Sequence, residues 1–462
     1  MGRAFNTGIF AMRIQKLVAL GVLVLVIILA VAIYGILRFI PSRQLKAEIS
    51  KIKARGEPVS WADLAGDRIP DAENAAVVYA QAFKVISGPD AEEEFDTLAR
   101  FLSPEKREKN PKLWDDARRI VTRYRKALPL ANEAVSRPKC RFPVNWEDGL
   151  EAEFPHLRNL QRLARLLSAN AVLNATDGRM GESVRSVELG FKVSKSLEDE
   201  PWQISQIART AIIKIVARSL RDALQHGDIT EKQARRLFDR LAQIDLSEGF
   251  VRALVGERAM SISYFHCLRE HPRAASEPAA HNRSDSKVAS KPTERTSYLW
   301  RLVMDASELH YLETMNAYIK AARKPYREIK SIGLDAEPKL PRYALMSAIL
   351  LPGYGHCAAQ RDNGVAEIAG SRIFLALHVY HHRFDSYPET LDELRAKLQW
   401  EIPKDIFSGK DFVYERQDKG FLLYSIGADL KDDGGRVPPA KPRGAMTAEE
   451  RARDDIIWQL EG

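Results

Sequence analysis

Catalytic signatures are missing from this chain. It holds no Gly-x-Ser-x-Gly elbow, no phosphate loop and no dinucleotide fingerprint. No exposed serine nucleophile, nucleotide cradle or Rossmann-type cofactor site can therefore be read from it. Cysteine is scarce as well: Cys140, Cys267 and Cys357 leave an odd one over, so they build no disulfide framework and are silent on redox compartment. His266-Cys267 and His356-Cys357 are sequence neighbours, but successive helical side chains point about 100° apart and cannot serve each other as nucleophile and base.

A basic face on the folded part is also lacking. The formal net charge is +8, yet residues 1–60 carry nine Lys or Arg against Glu48 and Glu57, which leaves the remaining residues near neutrality. Charge concentrated at the flanks of an apolar run suits lipid headgroups, whereas a nucleic-acid binder needs it on a folded surface. Nucleic acid is excluded as the expected partner.

The apolar run is Leu17–Leu37, 21 residues without a charge between Lys16 and Arg38. At about 1.5 Å per residue it covers roughly 30 Å, the hydrocarbon thickness of a bilayer. Ala30-Val31-Ala32 has the form of a signal-peptidase site, but the run continues to Leu37 and is too long for a signal h-region. The expectation is an uncleaved single-pass anchor at 17–37, with a tail at 1–16 and a juxtamembrane segment at 38–60. Three basic residues precede the span and six closely follow it, which by the positive-inside rule favours a cytoplasmic body, although long domains translocate largely regardless of charge.

Beyond the anchor the period is helical. Gln44 to Arg55 reads as a short amphipathic helix ending at Gly56, and Asp71-Ala72-Glu73-Asn74 opens a helix with Ala76, Tyr79, Ala80 and Phe83 on one face. Leu157, Leu160, Leu163, Leu166 and Leu167 form a stripe that ends at Asp177-Gly178, as a helix with one buried face requires. Thr230 with Gln233 has the capping-box form. Short turns between such helices predict antiparallel hairpins over 61–350, solenoid-like or an irregular bundle, without a fixed 34-residue repeat. The polar Ala/Ser/Pro-rich stretch at 272–296 is expected to be a disordered loop. Cys140-Arg141-Phe142-Pro143 and Trp146 are expected to form a loop packed on the helices.

The last hundred residues change character. A helix is predicted over 362–383, then a turn at Asp385-Ser386-Tyr387-Pro388, a short helix from Thr390 to Leu398, and a hairpin of Phe412–Glu415 with Phe421–Ile426 across Asp418-Lys419-Gly420. Ile456-Ile457-Trp458 supplies a third strand. Tyr387-Pro388-x-Thr390 with Leu394, Pro403-Lys404-Asp405 with Gly409, Tyr414, Leu423-Tyr424-Ser425-Ile426-Gly427-Ala428-Asp429, and Asp455-Ile456 with Trp458 resemble the globular domain of the type II secretion major pseudopilin. The resemblance covers 362–462. Residues 55–60 and 69–76 are similar to the start of bacterial membrane-anchored proteins that carry such a tail.

That resemblance implies an α+β tail domain, a calcium ion and a place outside the inner membrane. In the family the calcium sits in the loop that here offers Asp429, Asp432 and Asp433, with Asp455 closing the site; calcium takes six to eight oxygens from such carboxylates and from carbonyls. About 18 residues inserted between Gly435 and Asp454, with Lys431 and Arg436 diluting the charge, depart from the pattern. No pseudopilin leader with Phe and Glu lies near Gly2 or Gly8, so a filament subunit is not expected.

One further pair is singled out. His378 and His382, four apart, share a helix face, with His381 beside them and Asp385 past the turn. The spacing can hold zinc, but no Glu stands where a His-Glu-x-x-His site needs it and no third ligand is evident in the sequence. The reading is a mainly α protein of the inner membrane: an N-terminal transmembrane helix, a helical-hairpin body and a small pseudopilin-like α+β tail. It is expected to be non-enzymatic, to meet the bilayer through 17–37 and to engage envelope proteins from outside the membrane. The alternatives are a metal-dependent hydrolase using the His378/His382 helix and a cytoplasm-facing helical scaffold.

Overall fold

Four helices begin where the chain offers a side chain to receive their first backbone N–H groups. The computed structural model describes residues 21–29, 41–146, 148, 152–270, 294–341, 343–418, 420–435 and 456–460, and over these the protein is mainly α-helical. Helix α1 is described over 41–54. Ser60 caps α2 (Trp61–Ala65) by accepting from the Asp63 N–H, and Asn74 caps α3 (Ala75–Val85) by accepting from that of Ala76. Four helices follow: α4 (Ala91–Phe101), α5 (Pro104–Lys109), α6 (Lys112–Tyr124) and α7 (Ala127–Ala134).

The leucine stripe lies on α8 (Pro155–Thr176), and all five of its leucines are buried. A turn of three residues leads to α9 (Met180–Lys195), then come α10 (Gln203–Leu224) and α11 (Glu231–Ala242). Thr230 and Gln233 form the capping box of α11, with the Gln233 N–H donating to Thr230 Oγ1 (3.3 Å) and the Thr230 N–H to Gln233 Oε1 (2.9 Å). The remaining helices are α12 (Ser247–Glu270), α13 (Glu294–Ala321), α14 (Tyr326–Ser331), α15 (Leu345–Leu350), α16 (Tyr354–Phe384) and α17 (Leu391–Leu398). Strands β1 (Val413–Arg416), β2 (Phe421–Ser425) and β3 (Ile456–Leu460) form an antiparallel sheet in that order, with Val413 opposite Tyr424 and Leu423 opposite Trp458.

The chain divides into two compact units. The larger holds Ser60–Met260, Met315–Pro338 and Pro352–Gly462; the smaller holds Met1–Val59, Ser261–Thr314 and Lys339–Leu351. In the smaller, Phe265 and Tyr311 pack with ring centroids 5.8 Å apart, the Ser347 hydroxyl donates to the Ser307 carbonyl (2.7 Å), and Arg269 pairs with Asp305 and Glu308. In the larger, α8, α9 and α10 pack on one another, and α16 packs against α10 and α11 on one side and the sheet on the other. One apolar core of this unit runs from Ala75 and Phe95 through the stripe of α8 to Ile373, Phe421 and Trp458. The C-terminal α+β elements thus share their core with α8 and α10.

Three expectations meet the structure at their edges. Helix α16 starts at Tyr354, eight residues before the predicted 362, because Tyr354 is buried with its ring stacked on Tyr318 (4.2 Å, 1° between planes) and its hydroxyl donating to the Tyr318 carbonyl (3.0 Å). The loop expected at 272–296 lies outside the described residues except for 294–296, which are helical in α13. Of the span expected at 17–37, residues 21–29 are helical and their side chains exposed, while the rest lies outside the described residues. Among the described residues no helix is long and apolar enough to cross a membrane.

Candidate functional site

Helix α16 carries the histidines, and its last two turns sort them by face. His378 and His382 lie on one face, with ring centroids 4.7 Å apart. His381 turns away and packs against Tyr387 at 4.6 Å. Asp385 sits in the left-handed conformation at the C-cap (φ 52°), where its N–H donates to the His381 carbonyl (2.8 Å). It ends the helix and does not join the pair.

The third member comes from 150 residues upstream. Asp228, in the turn between α10 and α11, brings Oδ1 to 2.7 Å from His382 Nε2 and 3.9 Å from His378 Nε2. One donor atom from each of the three residues lies within 4.8 Å of the others. An ion pair fixes the approach: the Arg383 guanidinium, next along α16, donates to both carboxylate oxygens of Glu231, the first residue of α11. Burial pushes the His378 imidazole down to about 4, with His382 and His381 adding to the fall and Asp228 opposing it. His378 is therefore neutral at pH 7, the form in which an imidazole binds a metal.

The acidic loop after β2 is arranged differently. Asp429 Oδ1 accepts the Lys431 N–H (3.0 Å), and Asp432 Oδ1 accepts both the Tyr424 hydroxyl (2.9 Å) and the Gly434 N–H (2.9 Å). Asp433 is exposed, and Asp455 lies outside the described residues. Gly434 and Gly435 both have positive φ (74° and 65°), so the chain reverses at the place where a residue with Cβ would be strained. The oxygens are of the type calcium takes, and two of the carboxylates each spend one of them inside the loop.

Asp405, from the Pro403-Lys404-Asp405 motif, has a structural place in the tail. Asp405 is 1% exposed and accepts from the Phe407 N–H (3.1 Å), the Ser408 N–H (3.1 Å) and the Ser425 hydroxyl (2.7 Å). It ties the turn after Pro403 to the end of β2, which accounts for both motif positions without an ion.

A cleft of about 450 Å³ opens beside the loop that carries Trp146. Trp146 and Trp202 stack at 5.6 Å, Phe154 meets Trp202 edge-on, and Phe142 stacks on His156 at 4.4 Å. Trp202 Nε1 is buried with no hydrogen-bond partner among the described residues. Cys140, also on its wall, is pushed up to about 12 by burial, with Glu200 adding to the rise, and Cys357 is likewise pushed up to about 12 by burial. Both stay as thiols near neutral pH, which leaves them poor nucleophiles.

Sequence reasoning found the histidine pair and missed Asp228. Nothing local to Gly227-Asp228 marks it, since an Asp after Gly in a turn is ordinary turn chemistry. Trp202 was missed because its partners Trp146 and Phe154 are distant in sequence. No protein-family model matches the chain, and no curated protein or solved structure matches it.

Proposed function

We infer that the chain is a non-enzymatic, single-pass protein of the inner membrane, anchored through 17–37, that acts by protein interaction at the envelope alongside type II secretion or pilus-like machinery. The observation that carries this reading is the double use of α16. Its flank toward α10 and α11 belongs to the helical body, and the same helix backs the three-stranded antiparallel sheet. A long helix followed by a short one and an antiparallel meander is the order the pseudopilin resemblance implies. Here that unit is fixed to the body through a shared core, which suits a rigid presenting scaffold. The aromatic cleft at Trp146 and Trp202 offers such a scaffold a surface rich in the residue type that anchors interfaces.

The same reading assigns a calcium ion to Asp429, Asp432, Asp433 and Asp455. Three carboxylates within five residues, at a reversal of two glycines with positive φ, support it.

A reporter active only after export, fused behind Gly462, tests the reading in cells. Activity is expected, and the fusion should fractionate with membranes. An inactive reporter on an intact, membrane-bound fusion replaces this reading with the cytoplasm-facing scaffold.

A further inference from the structure

We propose that Asp228, His378 and His382 bind one divalent transition-metal ion of the zinc class, and that this ion clips the α10–α11 turn to the C-terminal end of α16. The inference stands apart from the membrane reading, because it concerns only residues of the larger unit.

The geometry leads to it. Two histidines at i and i+4 present their rings on one helix face, and the carboxylate opposite comes from a separate element, so the donors converge from two directions. Zinc at about 2.0–2.1 Å from each donor holds ligand atoms roughly 3.3 Å apart in a tetrahedron. The observed separations from Asp228 Oδ1, 2.7 and 3.9 Å, straddle that value. Asp228 is two-thirds exposed, which gives its side chain room to rotate toward that value.

The state of His378 is the second observation. Its Nε2 is buried and has no hydrogen-bond partner among the described residues, although it faces Asp228. Buried polar atoms are as a rule hydrogen-bonded, so its placement calls for a partner. His382 already uses the near oxygen of Asp228; a cation between the three would satisfy all of them together.

Chemistry and field select the ion. Two imidazole nitrogens and one carboxylate suit zinc and its neighbours, whereas calcium and magnesium take oxygen. The histidines occupy the last two turns of α16, where the unpaired carbonyls put the negative end of the helix dipole. The nearby charges of Arg383 and Glu231 are spent on each other. Three protein donors leave a fourth position for water, and the exposed side of Asp228 and His382 places it toward solvent.

The test uses the full chain, untagged, in detergent, stripped with a chelator and titrated with zinc alone. Binding of about one ion per chain with a rise in Tm is expected. Asp228→Asn and His382→Ala change exposed side chains and should leave the fold intact while weakening zinc by at least about tenfold. Asp429→Ala should leave zinc binding as it was. Cobalt(II) in place of zinc should give the intense visible bands of a four-coordinate ion. The assignment is overturned by a parent chain that retains no zinc, by folded Asp228→Asn and His382→Ala proteins that bind it as the parent does, or by the weak bands of six-coordinate cobalt. The export reporter is unaffected by any of these results, so the two readings fail separately.

Discussion

Gly370 on α16 lies directly beneath the indole of Trp458 on β3, so closely that a Cβ built on the glycine would overlap the six-membered ring. Trp458 is 1% exposed, meets Phe412 edge-on at 5.5 Å and pairs across the sheet with Leu423. The missing side chain on the helix is what lets the sheet seat on it. Gly370→Ala is therefore expected to destabilise the protein despite the better helix propensity of alanine, which is worth up to about 1 kcal/mol. Overpacking costs about 1–3 kcal/mol. Thermal unfolding followed by tryptophan fluorescence measures it, and a variant at least as stable as the parent would show that the sheet does not bear on Gly370.

Asp405 and Ser425 make the second contact on which the tail depends. Asp405→Asn keeps the shape but turns one acceptor into a donor facing the N–H of either Phe407, on Oδ1, or Ser408, on Oδ2, at an expected cost of about 1–3 kcal/mol. Ser425→Ala should cost less, and the double variant should lose less than the two single losses together. Additive losses in that cycle would mean the 2.7 Å hydroxyl contact contributes nothing of its own.

Glu257 predicts a pH dependence. It is half-buried on α12, where a carboxylate oxygen accepts the N–H of Gln203, the first residue of α10 (3.2 Å). Burial pushes its acid up from 4.5 to about 7, against the effect of that hydrogen bond. The folded state then holds a proton the unfolded state has released, so the associated stability is fully present below about pH 4.5 and is lost as pH rises through about 7. Glu257→Gln cannot titrate. Its Tm relative to the parent is expected to climb across that interval, and parallel curves would mean that Glu257 keeps an ordinary carboxyl.

Calcium is expected to raise the Tm of the full chain, and Asp429→Ala to abolish the rise. No shift in the parent chain at millimolar calcium would remove the ion from the loop. Zinc serves as the contrast, since its effect is expected to survive Asp429→Ala and to be lost with His382→Ala.

Much of the helical fold was legible because its signals are local. Asn74, Thr230 and Thr390 announce helix starts through side-chain bonds to N–H groups two or three residues on. The α8 leucine stripe announces a buried face. The start of α16 was not legible, since Gly353-Tyr354-Gly355 has turn composition and only the burial of Tyr354 against Tyr318 makes it helical.

The candidate site divides in the same way. Sequence alone determined that His378 and His382 share a face, because a period of 3.6 residues fixes it, whereas the turn of His381 toward Tyr387 is a product of the fold. Sequence also determined the apolar run at 17–37 and the acidic run at 429–433. Only tertiary structure decided that Asp228 meets the histidines, that Asp405 serves Ser425, and that Trp458 rests on Gly370. Each of those contacts joins residues separated by 20 to 154 positions, and chain closure over such distances is set by the packing of α10, α11 and the sheet around α16.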